Sequence, residues 1–199
     1  MSTLDALCLK LHEIGAVKFG EFKLKDGSLS PIYIDLRLLV AYPDVLELVA
    51  GEMAILARNL KFNRLCGIPY AALPIATALS LNMRLPMIYP RREVKQYGTK
   101  KPIEGLYSAG ETVLVIDDLI TTGLSKFEFI QPLEQEGLHV KDILVLIDRE
   151  QGGAQALKEK GYALHSVLGI TFLLNTLTVH NKITKEKADE ILAYLKKAN

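Results

Sequence analysis

Apolar residues recur at helical spacing at the start of the chain. Leu4, Leu7, Leu11 and Ile14 share one side of a predicted helix that Thr3 can cap and Gly15 can stop. The pattern then becomes extended. Phe19 to Leu24 and Pro31 to Leu36 read as strands joined by the turn signal KDGS, a hairpin-like unit outside the main sheet. From Pro43, a favourable first helical residue, Val45, Leu48, Val49, Met53, Leu56 and Leu60 predict a second amphipathic helix. Beyond it, short apolar runs at Leu65 to Ile68, Pro86 to Tyr89, Val113 to Ile116 and Ile143 to Ile147 alternate with helix-compatible stretches. That alternation is the mark of βαβ units in a parallel sheet, so the expected architecture is α/β and doubly wound. A last helix is expected from Thr184 to Lys197, with Ala188, Ile191, Leu192 and Leu195 apolar. No repeat, linker or low-complexity segment interrupts the pattern, and residues 1–199 are read as one domain. One segment does not fit. RREVKQYGTKKPIEG, Arg91 to Gly105, carries five basic residues and almost no apolar periodicity, and it reads as a long mobile loop.

Composition narrows the possibilities. A chain of 199 residues can bury a full core without a disulfide or metal staple. Lys and Arg number 24 against 23 Asp and Glu, so no overall field favours nucleic acid or an anionic membrane, and neither is expected as a partner. Cys8 and Cys66 stand far apart in apolar contexts and read as buried, reduced thiols. Charged residues within the N-terminal apolar pattern exclude a signal peptide or membrane span there, and a cytoplasmic location is the default expectation. His12, His139, His165 and His180 lack ligand spacing and are read as structural or surface residues.

The chemistry concentrates in VLVIDDLITTG, residues 113–123. In an open α/β sheet ligands bind beyond the carboxyl ends of the strands, which is where Asp117 and Asp118 would stand. Amides and hydroxyls of Thr121, Thr122 and Gly123, opening a helix, suit a phosphate. The acids suit ribose hydroxyls or a metal-bound water, and the competing reading is that they only cap the helix. GxxxxGK[ST] and GxGxxG are both missing, so any phosphate grip is of another kind.

This segment resembles the phosphoribosyl pyrophosphate signature of type I phosphoribosyltransferases. RREVKQYGTKK resembles the catalytic loop of the orotate phosphoribosyltransferase family, above all the form fused to a decarboxylase. FGEFKLKDGSLSPIYIDLR near the start, GIPYAALPIA at 67–76 and LIDREQGG at 146–153 resemble the same family in the same order. The resemblance implies a parallel-sheet type I phosphoribosyltransferase fold with a small N-terminal hood-like subregion and a flexible catalytic loop. It implies transfer of a phosphoribosyl group from phosphoribosyl pyrophosphate to orotate, giving orotidine 5'-monophosphate and pyrophosphate in pyrimidine biosynthesis. A chain of 199 residues is expected to hold the transferase without the decarboxylase.

Matched residue by residue, the family pattern assigns Lys25, Tyr33, Ile34, Thr121 and Arg149 to orotate. A guanidinium takes a carboxylate in a bidentate pair, which suits Arg149; without the resemblance, an ion pair with Glu150 or another acid is the plainer reading. Tyr70, Ala71, Arg91, Arg92, Lys95 and Tyr97 match contacts to phosphoribosyl pyrophosphate. So does the run Asp117, Asp118, Leu119, Ile120, Thr121, Thr122, Gly123, Leu124 and Ser125. Lys95, Asp117 and Asp118 are the expected catalytic residues, and Arg91, Arg92, Lys95, Lys100 and Lys101 would close over the departing pyrophosphate. Ala71, Arg92 and Tyr97 depart from the bacterial pattern, where Lys, Lys and His are common; Tyr97 is therefore not read as a general acid. Mg²⁺, held mainly through substrate with no dedicated protein ligands, is the implied cofactor. The resemblance further implies a homodimer in which the loop carrying Lys95 reaches over the neighbouring subunit's acids. Two rivals remain at this point, transfer to another base and a regulatory protein that keeps the fold to sense phosphoribosyl pyrophosphate and bind nucleic acid.

Overall fold

The computed structural model describes residues 2–23, 27–92 and 102–197. Helix α1 (Thr3–Glu13) is capped by Ser2, whose hydroxyl accepts the Asp5 N–H at 3.1 Å while the Asp5 carboxylate accepts the Ser2 N–H at 2.9 Å. This reciprocal box satisfies two orphan donors and moves the cap one residue before the expected Thr3. Strands β1 (Val17–Lys23) and β2 (Leu29–Ile34) form an antiparallel pair separate from the main sheet, as the hairpin reading required. A 3-10 helix (Leu36–Ala41) leads to α2 (Pro43–Ala57), which opens on the expected proline.

Then the alternating part begins: β3 (Arg64–Gly67), α3 (Ala72–Met83), β4 (Met87–Pro90), β5 (Ile103–Glu104), β6 (Thr112–Ile120), α4 (Leu124–Gln135) and β7 (His139–Asp148). It closes with α5 (Gly153–Glu159), β8 (Ala163–Gly169), α6 (Ile170–Val179) and α7 (Lys185–Lys197). The six-stranded sheet has the order β5-β4-β3-β6-β7-β8, parallel except for the antiparallel edge strand β5. Side-chain parity sorts its two faces. Leu114, Ile116 and Leu144 join α1, α2, α3, α6, α7 and the hairpin on one side. Val113, Val115, Ile143 and Val145 join residues of α4 and α5 on the other. Successive residues of a strand point to opposite faces, so apolar runs without alternation mark strands buried twice.

The segment Arg91 to Gly105 differs from its reading as one long loop. The Arg91 N–H donates to Pro102 O at 2.8 Å, and Tyr89 and Pro90 pair with Glu104 and Ile103. Its ends are thus tied into the sheet, while residues 93–101 lie outside the described residues. Among the described residues no helix is long and apolar enough to cross a membrane. Burial pushes both thiols up, Cys8 to about 12, which leaves them protonated and unreactive.

Candidate functional site

The strand order fixes where a site can form. From β3 the chain first moves outward to β4, then returns across to β6 and proceeds outward the other way through β7 and β8. The connections diverge between β3 and β6, leaving a crevice beyond their carboxyl ends. Gly67 pairs with Ile116 there, and the Ile68 N–H donates to Ile116 O at 3.0 Å. A side chain at Gly67 would come within 2.9 Å of Ala76 Cβ, so the glycine lets α3 settle onto the strand. Pro69 and Tyr70 follow at the carboxyl end of β3, with the Tyr70 side chain exposed.

The two acids are unequal. Asp117 is 5% exposed, with Oδ1 accepting the Asp118 N–H at 2.8 Å and Oδ2 ion-paired to Lys126 on α4. Asp117 shares the parity of Val113 and Val115, which turns it toward the α4 face. No cation pairs with Asp118 among the described residues, and burial together with the Asp117 charge pushes its carboxyl up to about 7. Neither acid caps α4. The cap is Gly123, at φ 79° and without a side-chain hydrogen bond, so the helix-capping alternative is set aside. Leu119 and Ile120 contribute backbone: Leu119 O holds Lys126 at 2.9 Å and the Ile120 side chain is buried. The Thr122, Leu124 and Ser125 side chains are exposed around the orphan amides of the α4 N-terminus, and Thr121 is half-buried.

The raised Asp118 carboxyl has a stability consequence. The folded chain holds that proton more tightly than the unfolded one between the ordinary 3.8 and about 7, so stability declines as pH rises through that window. Asp118→Asn should therefore raise Tm at pH 8, and the gain should vanish near pH 4. Thermal unfolding across that range checks this, and a gain independent of pH would contradict it.

The loop after β7 leans directly on the loop after β6. Ile120 pairs with Asp148, and the Arg149 N–H donates to Ile120 O at 2.9 Å. At Gly153 an added Cβ would stand 2.5 Å from Thr121 O. Glu150 does not pair with Arg149. Its carboxylate takes the Thr171 hydroxyl and the Thr171 N–H at 3.4 Å, at the start of α6. The Arg149 Nε is buried with no hydrogen-bond partner among the described residues, and burial pulls the guanidinium below its usual range, opposed by Tyr194 on α7. A half-buried guanidinium with a buried, unpartnered N–H and no acid beside it suits an anion.

The hairpin supplies Tyr33 and Ile34. The Tyr33 hydroxyl accepts from Arg37 Nη2 at 3.1 Å, Arg37 itself is held by Asp35, and the Tyr33 ring lies 5.4 Å from the Phe22 ring. Helix α7 packs on β2 and also receives the Gln151 amide at Leu195 O, 3.5 Å away, so it connects the hairpin to the Arg149 loop. On the other flank, Arg92 lies over the Tyr70 ring at 5.6 Å and Ala71 is the N-cap residue of α3. The Arg91 guanidinium is ion-paired to Glu104. Lys25, Lys95, Tyr97, Lys100 and Lys101 lie outside the described residues.

Lys126 and Gly153 were not singled out from the sequence. LSKFEF gives no sign that its lysine is buried, whereas the adjacent glycines of REQGG are a signal of close backbone approach. The histidines stand apart from the crevice acids: His12 meets Val17 O at 3.2 Å and His165 pairs with Asp142. Among the described residues there is no cluster of three His, Cys, Asp or Glu side chains able to hold a metal.

No protein-family model matches the sequence. Individual proteins do. The orotate phosphoribosyltransferase of Caenorhabditis elegans is 42% identical over 189 residues, 94% of this chain and 83% of that protein. The uridine 5'-monophosphate synthase of Bos taurus is 41% identical over 194 residues, 96% of this chain, and the chain spans only 40% of that relative's length. The solved UMP synthase of Leishmania donovani superposes with a TM-score of 0.90 at 44% identity, over 98% of this chain and 43% of that one.

Proposed function

The chain belongs to the orotate phosphoribosyltransferase family, and from that membership we propose that it transfers the phosphoribosyl group of phosphoribosyl pyrophosphate to orotate, in pyrimidine biosynthesis. The observation that carries the reading is the half-buried Arg149, whose buried Nε has no hydrogen-bond partner and which has no acid paired to it among the described residues, on a loop that Gly153 seats against Thr121. One position asks for a planar anion while its neighbour asks for a phosphate. A substrate pair consisting of a carboxylated base and a sugar phosphate meets both demands.

In this reading Asp118 accepts the ribose hydroxyls, and the amides and hydroxyls from Thr121 to Ser125 hold the 5-phosphate. Arg149 takes the orotate carboxylate bidentately, with Tyr33, Ile34 and Lys25 along the base. Tyr70, Ala71 and Arg92 border the pyrophosphate. A ring nitrogen of orotate, its N–H proton passing to water or to the departing pyrophosphate, bonds to the sugar C1 as the bond from C1 to the pyrophosphate oxygen breaks, through an oxocarbenium-like transition state. Negative charge grows on the leaving group. Lys95 and its basic neighbours, on a loop contributed by the second subunit of a homodimer, complete this proposal; the opposite charge and the tied ends of the loop support it. The hard oxygen donors of Asp117 and Asp118 at the strand end fit Mg²⁺ carried in on substrate oxygens and water. Bound there, Mg²⁺ supplies further neutralisation of the leaving group. A cytoplasmic site of action belongs to the same proposal, supported by two protonated, buried thiols.

Orotate consumption followed by absorbance is expected only when phosphoribosyl pyrophosphate and Mg²⁺ are both present, and EDTA should abolish it. Absence of turnover with both present would refute the assignment.

A further inference from the structure

Helix α4 places a lysine where an apolar residue would cost less. Lys126 is 6% exposed, on the face that also buries Ile130 and Leu133. Its Nζ meets Asp117 Oδ2 and donates to Leu119 O at 2.9 Å, while Asp117 Oδ1 is taken by the Asp118 N–H at 2.8 Å. Both oxygens of Asp117 are therefore occupied from inside the fold. Replacing a buried ion pair by packed apolar groups is often neutral or stabilising, so stability alone does not account for this one.

We propose that Lys126 is a positioning residue that reserves Asp117 as its counter-ion, cancels one of two adjacent negative charges, and leaves Asp118 as the carboxylate that meets the sugar. The proposal rests on the phosphoribosyl transfer assigned above. Phosphoribosyl pyrophosphate is itself a polyanion, and two bare carboxylates at the strand end would oppose its entry. With Lys126 in place the pair presents at most about one net negative charge. The same ammonium grips Leu119 O, two residues before Thr121, and so steadies the backbone that leads into the phosphate turn. One buried cation thus sets both the charge of the sugar grip and the course of the chain between the two grips.

The test compares Lys126→Gln, which keeps polar contacts and loses the charge, with Lys126→Arg, which keeps the charge. Binding of phosphoribosyl pyrophosphate with Mg²⁺, without orotate, is measured by calorimetry. The Gln variant is expected to bind about tenfold more weakly, and the Arg variant within about threefold of wild type. With orotate, the Gln variant should show a KM for phosphoribosyl pyrophosphate raised by a similar factor and kcat changed less than about threefold. Both variants are first checked by thermal unfolding. If Gln and Arg lower Tm alike but leave affinity at the wild-type value, Lys126 is merely structural and the proposal is wrong. Wild-type binding of phosphoribosyl pyrophosphate without orotate turnover would overturn the choice of base and not the lysine's role, which the binding series decides. A wild-type chain that does not bind it would overturn both.

Discussion

Replacing Arg149 by Ala is expected to raise the KM for orotate about a hundredfold, the scale on which a buried, hydrogen-bonded charge pair loses affinity when one partner is cut away. The same position should behave oppositely in stability. The guanidinium is held in the fold at a desolvation cost, its Nε has no partner among the described residues, and burial already pulls it below its usual range. Arg149→Met keeps the aliphatic stem and removes that cost, so Tm of the ligand-free chain should rise while orotate use falls. At working pH arginine is charged in both states, so the gain should not depend on pH. Arg149→Lys should recover little, because a point charge cannot reproduce a planar two-donor fork. Steady-state kinetics and thermal unfolding on the three variants are sufficient. A fall in Tm for Arg149→Met would mean that the guanidinium is satisfied within the fold and is not waiting for a carboxylate.

The parts legible in the sequence were those governed by short-range pattern. Pro43 opened α2 as expected, and VLVID marked a central strand because residues buried on both faces cannot alternate. The strand ran further than the apolar residues, to Ile120, because β7 continues to pair with Leu119 and Ile120. Strand β8 and helix α6 were not anticipated. His165 and Ser166 interrupt the apolar run of β8 at the sheet edge, where burial is partial. In α6, β-branched and aromatic residues obscure the helical spacing of Ile170, Leu173, Leu174 and Leu177, and packing against α1 overrides their propensity. At the site, the motif pointed to Asp117, Asp118 and the turn from Thr121 to Gly123, which the structure places at the end of the central strand and the start of α4. It could not reveal that Lys126 makes the acids unequal, since that contact joins a strand to the inner face of the following helix. Nor could it say that Glu150 is committed to Thr171, the fact that leaves Arg149 without its nearest acid.

Gly153→Ala is expected to be severely damaging for the addition of one carbon. The new Cβ would stand 2.5 Å from Thr121 O and 2.7 Å and 2.8 Å from two Ile120 carbons. A backbone oxygen cannot swing aside as a side-chain end can, so the strain must separate the β7–α5 loop from the β6–α4 loop. The first carries Arg149 and the second carries the phosphate turn, so one methyl group displaces the two grips from each other. Overpacking of this kind costs about 1 to 3 kcal/mol of stability. Misplacing reacting groups by about 1 Å can cost roughly a hundredfold in rate, and kcat/KM should fall on that scale for both substrates. Gly51→Ala is the matching control. Its Cβ meets nothing within 4 Å in the interior of α2, so it should leave activity unchanged and stabilise the helix by about 1 kcal/mol. If Gly153→Ala lowered Tm but left both KM values and kcat at wild-type levels, the two loops would not be acting as one rigid unit, and the glycine contact would serve packing alone.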